Sequence, residues 1–146
     1  MIVAVDESNI LQAAAVHAAS WRASHRLFCS PEFVAAHTVE HQQDYLREKI
    51  QNGSRFYLLV EGVPAGVVSV TGSLIEDLYV IPEMQGRGIG TQLLEFAIGQ
   101  CEGTPMLWIL ENNDRAGRLY RRMGFRVTGR AARVADGLDE IELALV

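Results

Sequence analysis

The segment from Val80 to Thr91, VIPEMQGRGIGT, contains the residues best suited to bind an anion. An apolar run ends at Pro82, glycines follow at positions 86, 88 and 90, and an apolar helical pattern begins directly after them. The N-terminus of a helix presents unpaired backbone N–H groups and a partial positive charge. Glycines let a phosphate approach those groups closely. The segment therefore predicts a site for an anion, in particular a pyrophosphate.

The spacing of these glycines excludes two common nucleotide motifs. The dinucleotide fingerprint requires G-x-G-x-x-G, whereas Gly86 and Gly88 are followed by Thr91 at the third glycine position. No Gly-Lys-Ser/Thr sequence is present, so the segment is not a nucleotide P-loop. From the glycines alone, a purely structural turn that packs a helix on a sheet stays equally open.

The histidines and cysteines do not have the spacing of a metal site. His37 and His41 lie four residues apart and could share a helix face, but two ligands do not make a zinc site. We therefore predict a solvated face there and no metal. Cys29 and Cys101 are far apart and form no CxxC pair, which favours a reducing, cytoplasmic compartment.

Helical patterns occupy the first third of the chain and recur around the glycine-rich segment. Ser8, Ser30-Pro31 and Thr38 are start signals for three helices, the third ending at Asn52-Gly53. Two later helices are predicted over roughly 88–101 and from Ala116 to Met123. The first helix is expected to bury one face, formed by Ile10, Leu11, Ala14, Ala15 and Ala18.

Strand patterns fill the rest of the chain. The predicted strands are 1–5, 55–60, 65–71, 74–81, 105–110 and a final pair around the Asp136-Gly137 turn. Short links between the second, third and fourth strands favour an antiparallel meander. The order of elements predicts an α/β fold with a mixed sheet flanked by helices, in a single domain covering 1–146.

Composition narrows the class of partner. The 146 residues are 49% hydrophobic and 21% charged, a balance typical of a globular domain, and the formal net charge is −5. An acidic protein is poorly suited to nucleic acid, whereas a cationic small molecule or a peptide amine suits it better. No apolar stretch approaches the ~18 to 20 residues of a membrane helix, and the N-terminus does not resemble a signal peptide. We predict no membrane partner.

Three linked motifs resemble the GNAT N-acetyltransferase superfamily. Gln85 to Gly90 is similar to its Q/R-x-x-G-x-G/A motif, and Leu78 to Pro82 looks like the strand before it. Asn113 to Phe125 resembles its N-x-x-A-x-x-x-Y-x-x-x-G-F signature. The resemblance covers roughly residues 65–127. It implies the acyl-CoA N-acyltransferase (GNAT) fold and an enzyme that uses acetyl-CoA.

The resemblance also implies a coenzyme site. The amides of the glycine-rich turn would hold the coenzyme pyrophosphate, and backbone of the preceding strand would pair with the pantetheine arm between two splayed strands. Arg87 could equally be solvated surface, and Asn113 could equally be a helix cap. The implied coenzyme-binding residues are Leu78, Tyr79, Val80, Gln85, Gly86, Arg87, Gly88, Ile89, Gly90, Thr91 and Asn113.

Two residues are predicted to be catalytic. Tyr120 matches the family tyrosine that protonates the departing thiolate, although it could instead be a core aromatic. Glu76 is expected to share a strand face with residues 78 and 80, which would aim it at the cleft as a base. Its alternative is a carboxylate paired with an arginine or with solvent. Asp77 is expected to point the other way, outside the cleft. A strand amide near Val80 would stabilise the oxyanion.

The acceptor side is implied to lie in the first helices and the late hairpin, although Trp21 could equally be a core aromatic. The candidate residues are Trp21, His25, Arg26, Phe28, Arg130 and Arg133. The predicted reaction transfers an acetyl group from acetyl-CoA to a primary amine of a small molecule or peptide. The alternatives are a protein N-terminal or lysine acetyltransferase and a catalytically inactive acyl-CoA-binding regulator. A homodimer is left open.

Overall fold

The computed structural model describes residues 1–27 and 29–146. Its helices are α1 (Ile10–His25), α2 (Pro31–Ala35), α3 (Val39–Gln51), α4 (Ile89–Gln100) and α5 (Asp114–Arg122), with a 3-10 turn at Pro82–Met84. Its strands are β1 (Ile2–Ala4), β2 (Arg55–Glu61), β3 (Val63–Thr71), β4 (Leu74–Val80), β5 (Met106–Leu110), β6 (Phe125–Ala135) and β7 (Leu138–Leu145).

The strands form one seven-stranded mixed sheet in the order β1-β2-β3-β4-β5-β7-β6. Strands β2, β3 and β4 are an antiparallel meander, as predicted from their short connections. The pairing of β4 with β5 is parallel, and β7 pairs antiparallel with both β5 and β6. The predicted mixed sheet flanked by helices is confirmed.

Helices cover both faces of this sheet. Adjacent residues of β3 point to opposite faces, so Val68 joins the core under α4 whereas Val67 joins the core under α1 and α3. The α4 core includes Leu93 and Leu94, which are fully buried. On the other face, Leu46 from α3 is equally buried. The sheet is thus fixed from both sides over β1 to β4, where the site lies.

Two of the three predicted start signals cap their helices. The side chain of Ser30 accepts a hydrogen bond from the backbone N–H of Phe33, and that of Thr38 accepts one from His41. The prediction for Ser8 was wrong, because its hydroxyl bonds to Asp6 and α1 begins after Asn9.

The predicted buried face of α1 was partly wrong. Ile10, Ala14 and Ala18 are buried, but Leu11 and Ala15 are exposed. Because α1 packs on α3 as well as on the sheet, its buried face is wider than one stripe and includes His17 and Ser20. A polar surface of α1 is thereby turned toward the interior.

A β-bulge interrupts the alternation of β4. Val67 pairs with Tyr79 and Ser69 pairs with Glu76, so the two residues between them on β4 oppose Val68 alone. Asp77 lies in this bulge with a φ of 53°, a conformation that non-glycine residues rarely adopt. In a regular strand, side chains alternate between the two faces of the sheet. The extra residue shifts this alternation by one, so every β4 residue on one side of the bulge points to the face opposite to the one that regular alternation predicts.

Candidate active site

A cleft of about 760 Å³ opens between β4 and β5. The two parallel strands share one paired register, Leu74 with Met106, and they diverge beyond it. Residues of α1, on one face of the sheet, line the cleft together with residues of α4 and α5 on the other face. The cleft therefore connects the two faces through the gap between the splayed strands.

The splayed part of β4 offers backbone groups to a ligand. Leu78 and Val80 line the cleft and belong to the α4 side of the sheet, whereas Tyr79 packs on the α1 side. The side-chain nitrogen Nε2 of Gln85 donates to the backbone carbonyl of Val80 at 3.1 Å, and Arg115 donates to the side-chain oxygen Oε1 of Gln85 at 3.0 Å. Gln85 thus ties the end of β4 to the start of α5.

The glycine-rich turn has the geometry of an anion site. Gly86 and Gly88 have φ values of 78° and 79°, and no atom lies within 4 Å of a Cβ built at either position. Gly88 is the N-cap of α4, and no side chain caps this helix. Within 1–27 and 29–146, the N–H groups of residues 86–91 donate to no backbone carbonyl. These amides fit the pyrophosphate that the sequence predicts.

The other predicted coenzyme residues of the turn differ in their placement. Ile89, Gly90 and Thr91 line the cleft, and a Cβ at Gly90 would lie 3.9 Å from side chains of both Leu119 and Val80. The Arg87 side chain is exposed and does not contribute to the cleft lining among the described residues. Its contact with a phosphate stays a prediction.

Asn113 lies at the start of α5 and lines the cleft. Its side-chain oxygen accepts a hydrogen bond from the backbone N–H of Ala116 at 3.2 Å, so it caps the helix. Because the side-chain oxygen is used for the cap, the side-chain amide nitrogen is the group left to donate a hydrogen bond to a coenzyme. The cap and the predicted contact with the coenzyme are therefore compatible.

Tyr120 lines the cleft on the α4 and α5 side of the sheet. Its ring packs edge-on against Phe125, with 6.0 Å between centroids. Burial raises the pKa of Tyr120 to about 12. The hydroxyl consequently keeps its proton at neutral pH, which is the state required of an acid.

The predicted orientation of Glu76 was wrong. Because of the bulge at Asp77, Glu76 shares a face with Tyr79 rather than with Leu78 and Val80. The Lys49 ammonium lies 3.0 Å from its carboxylate, and the side chain is 44% exposed. Glu76 still borders the cleft, so its role as a base stays a prediction.

Asp77, which was expected outside the cleft, lines it and is the centre of a buried polar cluster. One carboxylate oxygen accepts hydrogen bonds from His17 Nε2 at 2.9 Å and from the Tyr45 hydroxyl at 3.0 Å. The other accepts from Lys49 at 2.7 Å and from the Ser69 hydroxyl at 2.8 Å. Burial opposes the charge, but the His17 hydrogen bond and the Lys49 charge outweigh it and hold the pKa of Asp77 well below its ordinary range.

The Asp77 cluster continues through α1 to α3. His17 donates from Nε2 to Asp77, because a carboxylate only accepts, and its Nδ1 accepts from the Gln42 amide nitrogen at 2.8 Å. Gln42 in turn accepts from His41 at 2.6 Å. Sequence reasoning missed this cluster, since a histidine, a glutamine and a lysine on separate helices carry no common motif.

The predicted acceptor residues lie at the α1 side of the cleft. Trp21 stacks with both His25 and His37, with centroid distances of 4.1 Å and 3.6 Å. His25 lines the cleft, whereas Arg26 is exposed. His37 and His41 were predicted to lie on a solvated helix face. His41 is exposed as predicted, whereas His37 is partly buried against Trp21. Phe28 lies outside the described residues.

Strand β5 and the late hairpin each add a cleft residue that the sequence analysis did not name. Trp108 and Glu140 line the cleft from β5 and β7. Arg130 lies 5.6 Å over the Trp108 ring and bonds to the buried carboxylate of Glu142 at 3.1 Å. Leu107 and Ile109 of β5 are buried on one face of the sheet. Strand alternation could therefore have assigned Trp108, which lies between them, to the opposite face. Arg133 instead pairs with Asp139 at the hairpin.

Two further findings concern the described residues, 1–27 and 29–146. None of their helices combines the length and the apolar character that a membrane span requires. They also contain no group of three or more histidine, cysteine, aspartate or glutamate side chains arranged to hold a metal ion.

Comparison with known proteins identifies the family. The sequence model of the acetyltransferase (GNAT) domain matches residues 52–127, just over half of the chain. Two curated relatives are named peptidyl-lysine N-acetyltransferase YjaB. The protein from Salmonella typhimurium is 37% identical over 68 residues and that from Escherichia coli is 33% identical over 70. Each alignment covers 47% of this chain and 46% of the relative, so the chain spans about half the length of the curated relatives it matches.

Solved structures share the fold over nearly the whole chain. PaiA N-acetyltransferase from Thermoplasma acidophilum, in complex with coenzyme A, superimposes with a TM-score of 0.72 at 18% identity and covers 100% of this chain and 98% of that one. YncA from Salmonella typhimurium, solved with acetyl-CoA, gives 0.72 at 19% identity over 99% and 92%. The predicted fold is confirmed.

Proposed function

The chain belongs to the acetyltransferase (GNAT) family, and we propose that it transfers the acetyl group of acetyl-CoA to a primary amine carried by a peptide or a small molecule. One observation carries this proposal. A single cleft runs through the gap between β4 and β5, with the glycine-rich turn and Tyr120 on one side of the sheet and a polar wall of α1 on the other. A donor and an acceptor can therefore meet from opposite faces.

Acetyl-CoA supplies an activated acyl group, and the residues present fit its binding. The free N–H groups of residues 86–91 hold the pyrophosphate at the positive end of α4. From Leu78 to Val80, the edge of β4 that faces β5 has no register with that strand, and this edge holds the pantetheine arm in the position that a neighbouring strand would occupy. The Asn113 amide nitrogen adds a donor at the start of α5.

Two groups of the chain then assist the transfer. An N–H of the splayed strand near Val80 stabilises the negative charge that develops on the acetyl oxygen. Tyr120, which is protonated at neutral pH, gives its proton to the departing sulfur. Turnover requires a proton donor for the sulfur whereas coenzyme binding alone does not, so a hydroxyl in the cleft favours turnover over a purely regulatory role.

A lysine side chain of a peptide is the acceptor that we favour within this class. The two curated relatives are named for peptidyl-lysine, and the net charge of −5 suits a cationic partner. On the acceptor side, Glu76 and Glu140 border the cleft and favour an ammonium group. The same features admit a small polyamine, which is the second candidate.

The test is release of free thiol from acetyl-CoA against a panel of amines. The panel contains a lysine peptide with a blocked N-terminus, the same peptide with arginine in place of lysine and a free N-terminus, and a linear polyamine. Release with the first peptide and not with the second supports lysine acetylation. Release with the polyamine alone identifies a small-molecule enzyme. Coenzyme binding without release from any amine contradicts the proposal and identifies a regulator.

A further inference from the structure

The acceptor nitrogen must lose a proton during the transfer, and the carboxylates nearest to α1 are already occupied. Asp77 accepts four hydrogen bonds, and Glu76 is paired with Lys49 at 3.0 Å. The partners of Asp77 stabilise its charged form, which makes Asp77 a weak base, and the Lys49 ammonium occupies the Glu76 carboxylate. A better proton acceptor is a group of the cleft whose lone pair is not already occupied.

His25 lines the cleft, and its hydrogen bonds define its tautomer. Its Nδ1 lies 2.9 Å from the carbonyl oxygen of Trp21 and 2.8 Å from the hydroxyl of Ser24. Because a carbonyl oxygen only accepts, Nδ1 carries the hydrogen. The lone pair of the neutral ring is consequently on Nε2, the atom that accepts a proton.

The His25 ring is also fixed in orientation. It stacks on Trp21 at a centroid distance of 4.1 Å and an angle of 8° between planes, and the two Nδ1 contacts restrain its rotation. His37 also stacks on Trp21, with 3.6 Å between centroids. A ring held on both its face and its edge keeps one geometry toward a substrate, as a base must.

Burial is the main factor that favours the neutral form of His25. Burial lowers the pKa of His25, its bond to the Trp21 carbonyl opposes this, and His37 and His17 lower the pKa further. The other charged groups that line the cleft are Glu76 and Asp77 on β4, both paired, Glu140 on β7, and Arg115 and Arg122 on α5. His25 is thus unprotonated at neutral pH and able to act.

Ser20 supplies a second polar group on the same helix. Its side chain is buried, lines the cleft, and its hydroxyl has no hydrogen-bond partner among residues 1–27 and 29–146. A buried hydroxyl without a partner costs about 1–3 kcal/mol unless a ligand or water satisfies it. Ser20 and Ser24 lie four residues apart on one face of α1. This face therefore presents an unpaired hydroxyl to the cleft that His25 also lines, where it can bond to the acceptor nitrogen.

We propose that His25 is the catalytic base of the acetyl transfer and that the Ser20 hydroxyl orients the acceptor nitrogen; this inference rests on the proposed function. The neutral amine attacks the acetyl carbon and forms the C–N bond. Nε2 of His25 takes one proton from that nitrogen as the C–S bond breaks. Tyr120 gives its proton to the leaving sulfur, and the proton on His25 returns to Tyr120 through water. The products are a neutral amide and a thiol.

The experiment is the pH dependence of kcat/KM for an amine that the wild-type protein acetylates. A lysine-like amine has a pKa of about 10.4, so its neutral fraction alone gives the logarithm of kcat/KM a slope of one. If His25 is the base, it must also be deprotonated for the reaction, so below the pKa of His25 the slope increases by one. We expect a slope of two in acid that changes to one at a pH below about 6.5, the ordinary imidazole value.

Variants assign this change of slope. In His25→Gln we expect a slope of one throughout, a kcat lower by ~10²-fold and an unchanged KM for acetyl-CoA. Imidazole added to His25→Ala should restore part of the rate. The control is Glu95→Gln, an exposed residue of α4 that does not line the cleft among the described residues, and it should behave as wild type. Ser20→Ala should raise the KM for the amine and leave the change of slope in place.

Several outcomes would overturn the inference. A wild-type profile with one slope across pH 5 to 8 excludes a histidine base whatever the variants do, including variants that fail to fold. A His25→Gln protein that keeps the change of slope also excludes it. A change of slope near the ordinary glutamate pKa of about 4.3 that disappears in Glu140→Gln assigns the base to that carboxylate. The proposed function fails separately, when the wild type binds the coenzyme but acetylates no amine.

Discussion

The carboxylate of Asp77 lies 2.9 Å from Nε2 of His17, and both side chains are almost fully buried. This contact joins the bulge of β4 to the middle of α1. It holds Asp77 at a φ of 53°, where a non-glycine residue is strained, and it fixes the strand that forms one wall of the cleft. The buried Asp77 cluster is therefore a structural support of the site.

Removing the charge of Asp77 should destabilise the fold strongly. Asp77→Asn leaves the Lys49 ammonium, which is mostly buried, without its 2.7 Å partner. Breaking a buried pair on one side costs about 3–5 kcal/mol. We expect the free energy of unfolding, measured in urea, to fall by that amount. The control Glu76→Gln breaks a half-exposed pair and should cost less than about 1 kcal/mol. Equal effects of the two substitutions would contradict the structural role of Asp77.

The same carboxylate makes stability depend on pH in acid. Its partners lower the pKa of Asp77 in the folded state below the ordinary value of 3.8. The folded state therefore gains stability from this group above pH 3.8, and loses it as the pH falls toward the folded pKa. Urea unfolding of the wild type between pH 5 and 2.5 should show this loss. Asp77→Asn should show a shallower dependence, and a parallel dependence would indicate that other carboxylates account for it.

Tyr120 should affect turnover without affecting binding. Tyr120→Phe removes the hydroxyl that protonates the sulfur and keeps the ring that packs against Phe125. We expect kcat to fall by ~10²-fold or more, with the dissociation constant for acetyl-CoA and the melting temperature nearly unchanged. Steady-state thiol release and calorimetry measure the two effects. An unchanged kcat would leave Tyr120 as a core aromatic only.

Gly88 should be required for coenzyme affinity, and not only for the stability of the turn in which it lies. Gly88→Ala places an L-residue at a φ of 79° at the N-cap of α4 and should cost about 1–2 kcal/mol of stability. Gly137→Ala, at a φ of 73° in the β6–β7 turn, is the matched control. We expect coenzyme affinity to fall about tenfold, or about 1.4 kcal/mol, for Gly88→Ala alone. Equal affinities in the two variants would show that the turn does not bind the phosphates.

Local patterns in the sequence predicted most of the fold. The glycine-rich turn, the Asn113 cap and the Thr38 cap each depend on a few consecutive residues, so their structure follows from short-range chemistry. The order of strands and helices followed from changes in hydrophobic periodicity. Periodicity also placed Tyr120 on a helix, and the resemblance to the GNAT family placed it at the cleft, where the structure has it.

Features that depend on packing between distant segments could not be predicted in this way. Strict alternation along β4 placed Glu76 beside residues 78 and 80. Asp77 is a residue type that is depleted in strands and enriched at positive φ, but this alone does not show that the chain inserts a bulge there. The burial of His17 depends on α1 and α3 enclosing Asp77, which no local pattern encodes. Likewise, the tautomer of His25 depends on a carbonyl one helical turn earlier and on its ring stacking.

Binding of acetyl-CoA, measured by calorimetry with coenzyme A alongside, tests the account most directly. The cleft through the sheet and the free amides at residues 86–91 predict one ligand per chain with a micromolar dissociation constant. Coenzyme A should bind at the same site, since the pyrophosphate and pantetheine contacts are common to both. No detectable binding at millimolar acetyl-CoA would mean that the glycine-rich turn only shapes the start of α4, and it would contradict the proposed enzyme.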